Sequence, residues 1–97
     1  MRTKTVEIHP IIEFPQENET IFSRAYTMRI AVPVAVKALD ISIDQGPWLA
    51  CREDVGFWWY DWTGYAVGKH EIIARIRAHN GRWLMSEPHE VRVATAA

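Results

Sequence analysis

Cysteine is almost missing from this 97-residue chain, where Cys51 stands alone. It has no partner for an internal disulfide, and no CxxC or Cys/His spacing offers a zinc site. Neither sign of charge is in excess: 11 Lys and Arg face 12 Asp and Glu, for a formal net charge of −1. That balance removes the main electrostatic reason to expect nucleic acid or an acidic membrane as a partner. Charge-free stretches are all far shorter than the ~20 residues a membrane span needs. The opening Met1-Arg2-Thr3-Lys4-Thr5-Val6-Glu7-Ile8-His9-Pro10 carries positive charge with no apolar run behind it, so no secretory leader is expected. A cytoplasmic location follows as the expectation, unless the chain is a fragment of a larger one. No low-complexity segment, linker or internal repeat appears. Residues 1–97 are therefore expected to form one domain.

What the chain does have is apolar alternation with period two. Hydrophobic residues make up 48% of it, enough for a single core. In Tyr26 to Val32, the residues Tyr26, Met28, Ile30 and Val32 share one face, with Thr27 and Arg29 on the other. Leu39, Ile41 and Ile43 alternate with Asp40, Ser42 and Asp44. Ile72, Ala74, Ile76 and Ala78 line one side of the run from His70, and on a helix they would spread around the axis. Shorter strands are expected at Thr5 to Ile12 and at Glu90 to Val93. Pro10, Pro15, Pro33, Pro47 and Pro88 punctuate these runs. Asp44-Gln45-Gly46-Pro47 reads as a turn with Gly46 free to take a positive φ. Asn80-Gly81 is a strong hairpin signal that would set Ala78 opposite Trp83; a longer loop from His79 to Pro88 is the alternative. The count is about seven strands at sandwich spacing, mostly antiparallel because no helix remains for crossovers. The expected fold is all-β, an immunoglobulin-like sandwich. Its expected core is Met28, Ile30, Val32, Leu39, Ile41, Ile43, Ile72, Ala74 and Ile76.

The order Leu39-Asp40-Ile41-Ser42-Ile43-Asp44-Gln45-Gly46-Pro47-Trp48, then Trp59 to Trp62, then Gly68 to Gly81 resembles a pattern of bacterial Ig-like domains. That pattern reads V-x-V-S-x-D-G-G-x-W … W … G-x-H-x-I-x-x-R-A-x-D-x-x-G, and it belongs to early-set, fibronectin-III-like sandwiches. The C-terminal dimerisation domain of sulfite-oxidase-type molybdenum enzymes is similar. The likeness covers roughly residues 22 to 93. It implies docking between protein chains, with no chemistry in the domain. The chain departs from the pattern at Gln45 and at His79-Asn80. It has no preceding catalytic domain, so no cofactor is implied.

Gly56-Phe57-Trp58-Trp59-Tyr60-Asp61-Trp62 is the most informative local feature. In a strand, Phe57, Trp59 and Asp61 face one way and Trp58, Tyr60 and Trp62 the other. One ring set can enter the core; the pattern leaves open which. The other set must be covered or exposed, and a contiguous exposed aromatic patch marks an interaction site. The candidate partner-binding residues are Trp58, Tyr60 and Trp62, joined by Trp48 and Trp83. The expected partner is another protein or a second copy of the chain. A glycan stacked on the same rings, with Asp61 accepting from hydroxyls, is the alternative, and a plain spacer domain a third. Arg75 and Arg77 have the reach to cover the rings through cation–π contact, which would leave no site at all. Arg75, Arg77, Arg82 and Trp83 near the Asn80-Gly81 turn are too few, at this net charge, for nucleic acid.

Catalytic signals are weak. His9, His70, His79 and His89 fall on separate elements, so no metal site is expected. Cys51 has no adjacent histidine; Ser23, Ser42 and Ser86 lie in no nucleophile motif; Glu53-Asp54 reads as a solvated loop. The expectation is a noncatalytic domain without cofactor.

Overall fold

The computed structural model describes residues 9–78 and 80–95. Among them ten strands and no helix form two sheets. The first has the order β1 (Ile11–Phe14), β3 (Ala25–Ala31), β7 (Phe57–Thr63) and β6 (Arg52–Asp54). The second runs β2 (Thr20–Ile21), β10 (His89–Val93), β8 (Gly68–Arg77), β4 (Ala38–Ile43) and β5 (Leu49–Ala50), with β9 (Trp83–Met85) also on β8. This is the expected Ig-like sandwich. Residues 5–8 of the strand expected at Thr5 to Ile12 lie outside the described residues, as does His79.

Ten strands and an expectation of about seven are reconciled by three breaks. The first run changes sheets: β1 pairs antiparallel with β3, then the chain crosses and β2 lies parallel to β10, with Thr20 beside Arg92 and Ile21 beside Val93. Fully buried Pro15 sits at that crossing, and its carbonyl accepts from His89 Nε2 at 2.5 Å. The second break is at Cys51. β5 pairs with β4 in one sheet and β6 with β7 in the other, so the chain changes sheets at this residue. The third is at Ser86, between β9 and β10. Its amide donates to Ala74 O at 2.8 Å, while its hydroxyl accepts from Ala74 N at 2.9 Å in place of a carbonyl.

The core lies between the sheets and follows the alternation. Met28, Ile30, Leu39, Ile41, Ile72, Ala74 and Ile76 are buried, while Val32 and Ile43 pack at its margin. β7 contributes more than the sequence could assign. Its register on β3 sets Trp62 beside Tyr26, Tyr60 beside Met28 and Trp58 beside Ile30, all facing inward. Trp58 is 9% exposed and Trp62 5%. Trp62 also packs on Tyr65, with ring centres 4.1 Å apart, and meets His70 edge-on at 5.1 Å.

Two turns differ from expectation. Around Asp44-Gln45, the positive φ values belong to Asp44 (54°) and Gln45 (60°), not to Gly46. Gly46 is needed for room instead, since a Cβ there would lie 3.0 Å from Ile43 O. Asp44 is held in this unfavourable region by its carboxylate, which accepts from Glu71 N at 2.9 Å and contacts His70 Nδ1 at 2.6 Å. Near Asn80-Gly81, β8 pairs Arg77 with Trp83, one residue off the expected pairing of Ala78 with Trp83. Ala78 N donates to Arg82 O and Gly81 N to Ala78 O, both at 2.9 Å, so the loop is one residue longer. Gly81 takes a φ of 87° there.

His70 ties the Asp44 turn to the loop before β8, because its Nε2 reaches Ala66 O at 2.7 Å. Burial opposes charge on the ring, but the Ala66 carbonyl and the Asp44 carboxylate outweigh it and raise the histidine above its ordinary range. A raised folded value means the stabilisation is fully present below the unfolded value of about 6.5 and is lost as pH rises through the folded value.

Two predictions follow from this packing. Trp62→Ala should cost about 3–5 kcal/mol in urea unfolding, the range for deleting a buried large ring. The unfolding midpoint should fall as pH rises above about 6.5, and His70→Gln should flatten that fall.

Candidate functional site

The outward face of β4, β8 and β9 carries an arginine held between two indoles. Alternation puts Arg75 and Arg77 outside, because Ala74 and Ile76 point into the core. Register then aligns Asp40, Arg75 and Met85 in one row, and Ala38, Arg77 and Trp83 in the next. Trp48 arrives from the Asp44–Pro47 turn, which Ser42 closes by donating its hydroxyl to Gly46 O at 2.8 Å. The Arg75 guanidinium lies 4.2 Å from the Trp48 ring centre and 3.9 Å from that of Trp83. Asp40 fixes it from below, with Nε and Nη2 each 3.1 Å from Oδ2. Arg77 extends the stack, 5.8 Å from the Trp83 ring centre. Trp83 remains 40% exposed and Met85 53%.

A desolvated cation–π contact is worth up to about 2 kcal/mol, and planar Arg suits a two-ring slot better than Lys. The result is a rigid plate of alternating aromatic and cationic groups on a flat sheet.

The opposite sheet has a smaller relative of this cluster. Arg29 lies 4.7 Å from the Phe14 ring centre and 4.5 Å from that of Phe57. Its Nε is 2.9 Å from Glu13 Oε1, both atoms buried and out of line for a hydrogen bond. Trp59, edge-on to Phe57, donates its indole N–H to Asp54 O at 2.9 Å. Asp61 is bound by Arg52 and Thr27, which together hold its carboxyl below the usual range.

Of the five residues expected to bind a partner, only Trp48 and Trp83 come together. Trp58 and Trp62 are core residues and Tyr60 packs against them, so they form no exposed patch; this corrects that expectation. Sequence reasoning fell short here because both ring sets of β7 are large. Cover by arginine does occur, but Arg75 and Arg77 serve Trp48 and Trp83, while Arg29 serves Phe57. Asp40 and Met85 were missed, although both share the outward phase of their strands with named residues.

Other chemistry is not assembled. Cys51 is half-buried, and its thiol is pushed up to about 12 by burial, with Asp40 adding and Arg52 opposing. It is therefore protonated and unreactive at neutral pH. Among the described residues no three His, Cys, Asp or Glu converge as metal ligands. An open cleft of about 570 Å³ between Phe22, Tyr65, Val67 and Val93 lies beside the start of β8. Strand rise separates it from Arg75 by roughly 20 Å.

No protein-family model matches the chain, and no curated protein matches it either. Solved structures do. An engineered protein is similar over 91% of this chain with a TM-score of 0.75 and 21% identity. Fibronectin(III)-like modules of Clostridium thermocellum CbhA are similar over 91% of this chain and 98% of theirs, with a TM-score of 0.71 and 18% identity. A modular endo-β-1,4-mannanase from Cellulomonas fimi is similar over 91% of this chain, with a TM-score of 0.71 and 21% identity. The chain spans about a fifth of the engineered protein and of the mannanase (20% and 19%). These likenesses establish the fibronectin-III-like, Ig-type fold. They do not show the likeness to the molybdenum-enzyme dimerisation domain.

Arg75→Lys keeps the charge but not the plate. It should cost about 1–2 kcal/mol in urea unfolding and make tryptophan fluorescence more quenchable by iodide, as Trp48 and Trp83 lose their cover. Unchanged quenching would mean that the arginine does not shield the rings.

Proposed function

We propose that this domain is a noncatalytic module that docks protein through the outward face of β4, β8 and β9. One observation carries the reading: Trp48, Arg75 and Trp83 are already stacked and fixed by Asp40, with exposed Met85 and Arg77 beside them. Trp, Arg and Met are the side chains enriched at the energetic centres of protein interfaces. A prearranged stack loses little side-chain freedom when a partner covers it. A fibronectin(III)-like module of CbhA, similar in fold over 98% of its length, supports the reading as a module. A sugar is a poorer occupant. It needs an open indole face, and Arg75 lies against both Trp48 and Trp83.

Site-specific photo-cross-linking tests this. A photoreactive residue at Arg77 should give protein adducts that Trp83→Ala removes, whereas one at Thr63, on the opposite sheet, should give none. Adducts from position 63 alone would overturn the reading. So would retardation in a mannan or soluble-cellulose gel that Trp83→Ala abolishes, because the face would then bind glycan.

A further inference from the structure

β8 is ten residues long and carries two strands along one edge, β10 beside its first half and β9 beside its second. β2 covers the far side of β10. Among the described residues, β9 pairs with β8 alone and its far side has no strand.

The direction of its backbone groups follows from the ladder. Ala78 N donates to Arg82 O, and Ser86 N donates to Ala74 O. Hydrogen-bonded pairs alternate along an antiparallel ladder, so Arg82, Leu84 and Ser86 bond inward. The N–H and C=O groups of Trp83 and Met85 therefore point out of the sheet. Their side chains are exposed as well, and neither proline nor lysine blunts the strand. An edge of this kind is a template for another strand.

The sequence Arg82-Trp83-Leu84-Met85-Ser86-Glu87 says what fits it. Arg82 and Glu87 are exposed at opposite ends, and neither has an ion pair among the described residues. We propose that two copies of this chain pair antiparallel through β9, about a two-fold axis at Leu84, joining their β2–β10–β8–β4–β5 sheets. The inference rests on the protein-docking reading above, places the contact at the β9 edge of that face, and names the partner as a second copy.

That register sets Trp83 opposite Met85 of the second copy, twice by symmetry. Both pairs exchange both of their outward backbone bonds. Each thioether meets an indole, a favourable contact. Arg82 then lies opposite Ser86 of the second copy and Glu87 opposite Gly81, so opposite charges stand diagonally at each end of the interface. A parallel pairing would set Arg82 against Arg82. Ile11, 58% exposed, lines a depression beside Ser86 and Glu87, where the turn of the second copy would cover it.

The test is light scattering after size exclusion over a dilution series. The wild type should be a dimer that dissociates on dilution. Met85→Pro removes an amide that has no partner in its own sheet, so the fold survives, checked by circular dichroism, and the protein becomes a monomer. Arg82→Glu and Glu87→Arg should each weaken the dimer about tenfold, and the double reversal should restore it. The charge reversals decide the matter if the proline variant does not fold. A wild-type monomer at every concentration overturns the inference, as does a dimer indifferent to Met85→Pro and to both reversals. If that monomer still cross-links a foreign protein through position 77, the docking face stands and only the second copy is lost. If it gives no adduct, both are lost.

Discussion

A β-strand turns successive side chains to opposite sides, so the six residues from Phe57 to Trp62 cannot all be hidden between two sheets. Trp58, Tyr60 and Trp62 go inward and supply much of the core's bulk, against the small Ala74 and the branched residues of β4 and β8. Phe57 and Trp59 are left on the outside. Arginine is the cover the protein uses there. Its planar, weakly hydrated head lies flat on a ring while its stem stays on the sheet. Arg29 does this for Phe57 and Phe14. The same device recurs across the sandwich, where Arg75 fills the space between Trp48 and Trp83. Both sheets thus present a polar and aromatic mosaic to the outside where bare rings would invite unspecific contact.

The two clusters differ in how much they leave open. On the first sheet the indole N–H of Trp59 is satisfied by Asp54, and Arg52 and Asp61 neutralise each other next to it. On the second, Asp40 satisfies Arg75, but Arg77 projects beyond Trp83, and Met85 has no cover. The second face also borders an edge strand, β9, that pairs with β8 alone among the described residues. Side-chain and main-chain contacts are therefore available to one partner at one place.

Much of this architecture was legible because period-two alternation depends only on which residues are apolar. β3, β4 and β8 carry that signal cleanly, and the buried residues follow it with few exceptions. Three things were not legible. The inward set of β7 was undetermined because both candidate sets are large rings. The pairing of Trp83 with Arg77 depended on a loop one residue longer than Asn80-Gly81 suggests. The changes of sheet at Pro15 to Glu19 and at Cys51 leave no local pattern, since a strand crossing between sheets still alternates. The site suffered most from this. Trp48 and Trp83 stood out as aromatic residues, but that Asp40, Arg75 and Met85 share a row follows only from registers spanning three strands.

The parallel pairing of β2 with β10 has a mechanical side. β2 follows the first strand and β10 is the last, and they run in the same direction. Glu19 O accepts from Arg92 N and Ile21 O from Ala94 N, both at 2.9 Å, and Asn18 N donates to Glu90 O at 2.7 Å. Tension applied to the chain before β2 and after β10 pulls these strands past each other along their length. The bonds then share the load together, in shear, instead of opening one after another like a zip. A domain strung between neighbours would resist stretching at this seam, where buried Ile21 and Val93 lie side by side and tie the seam to the core.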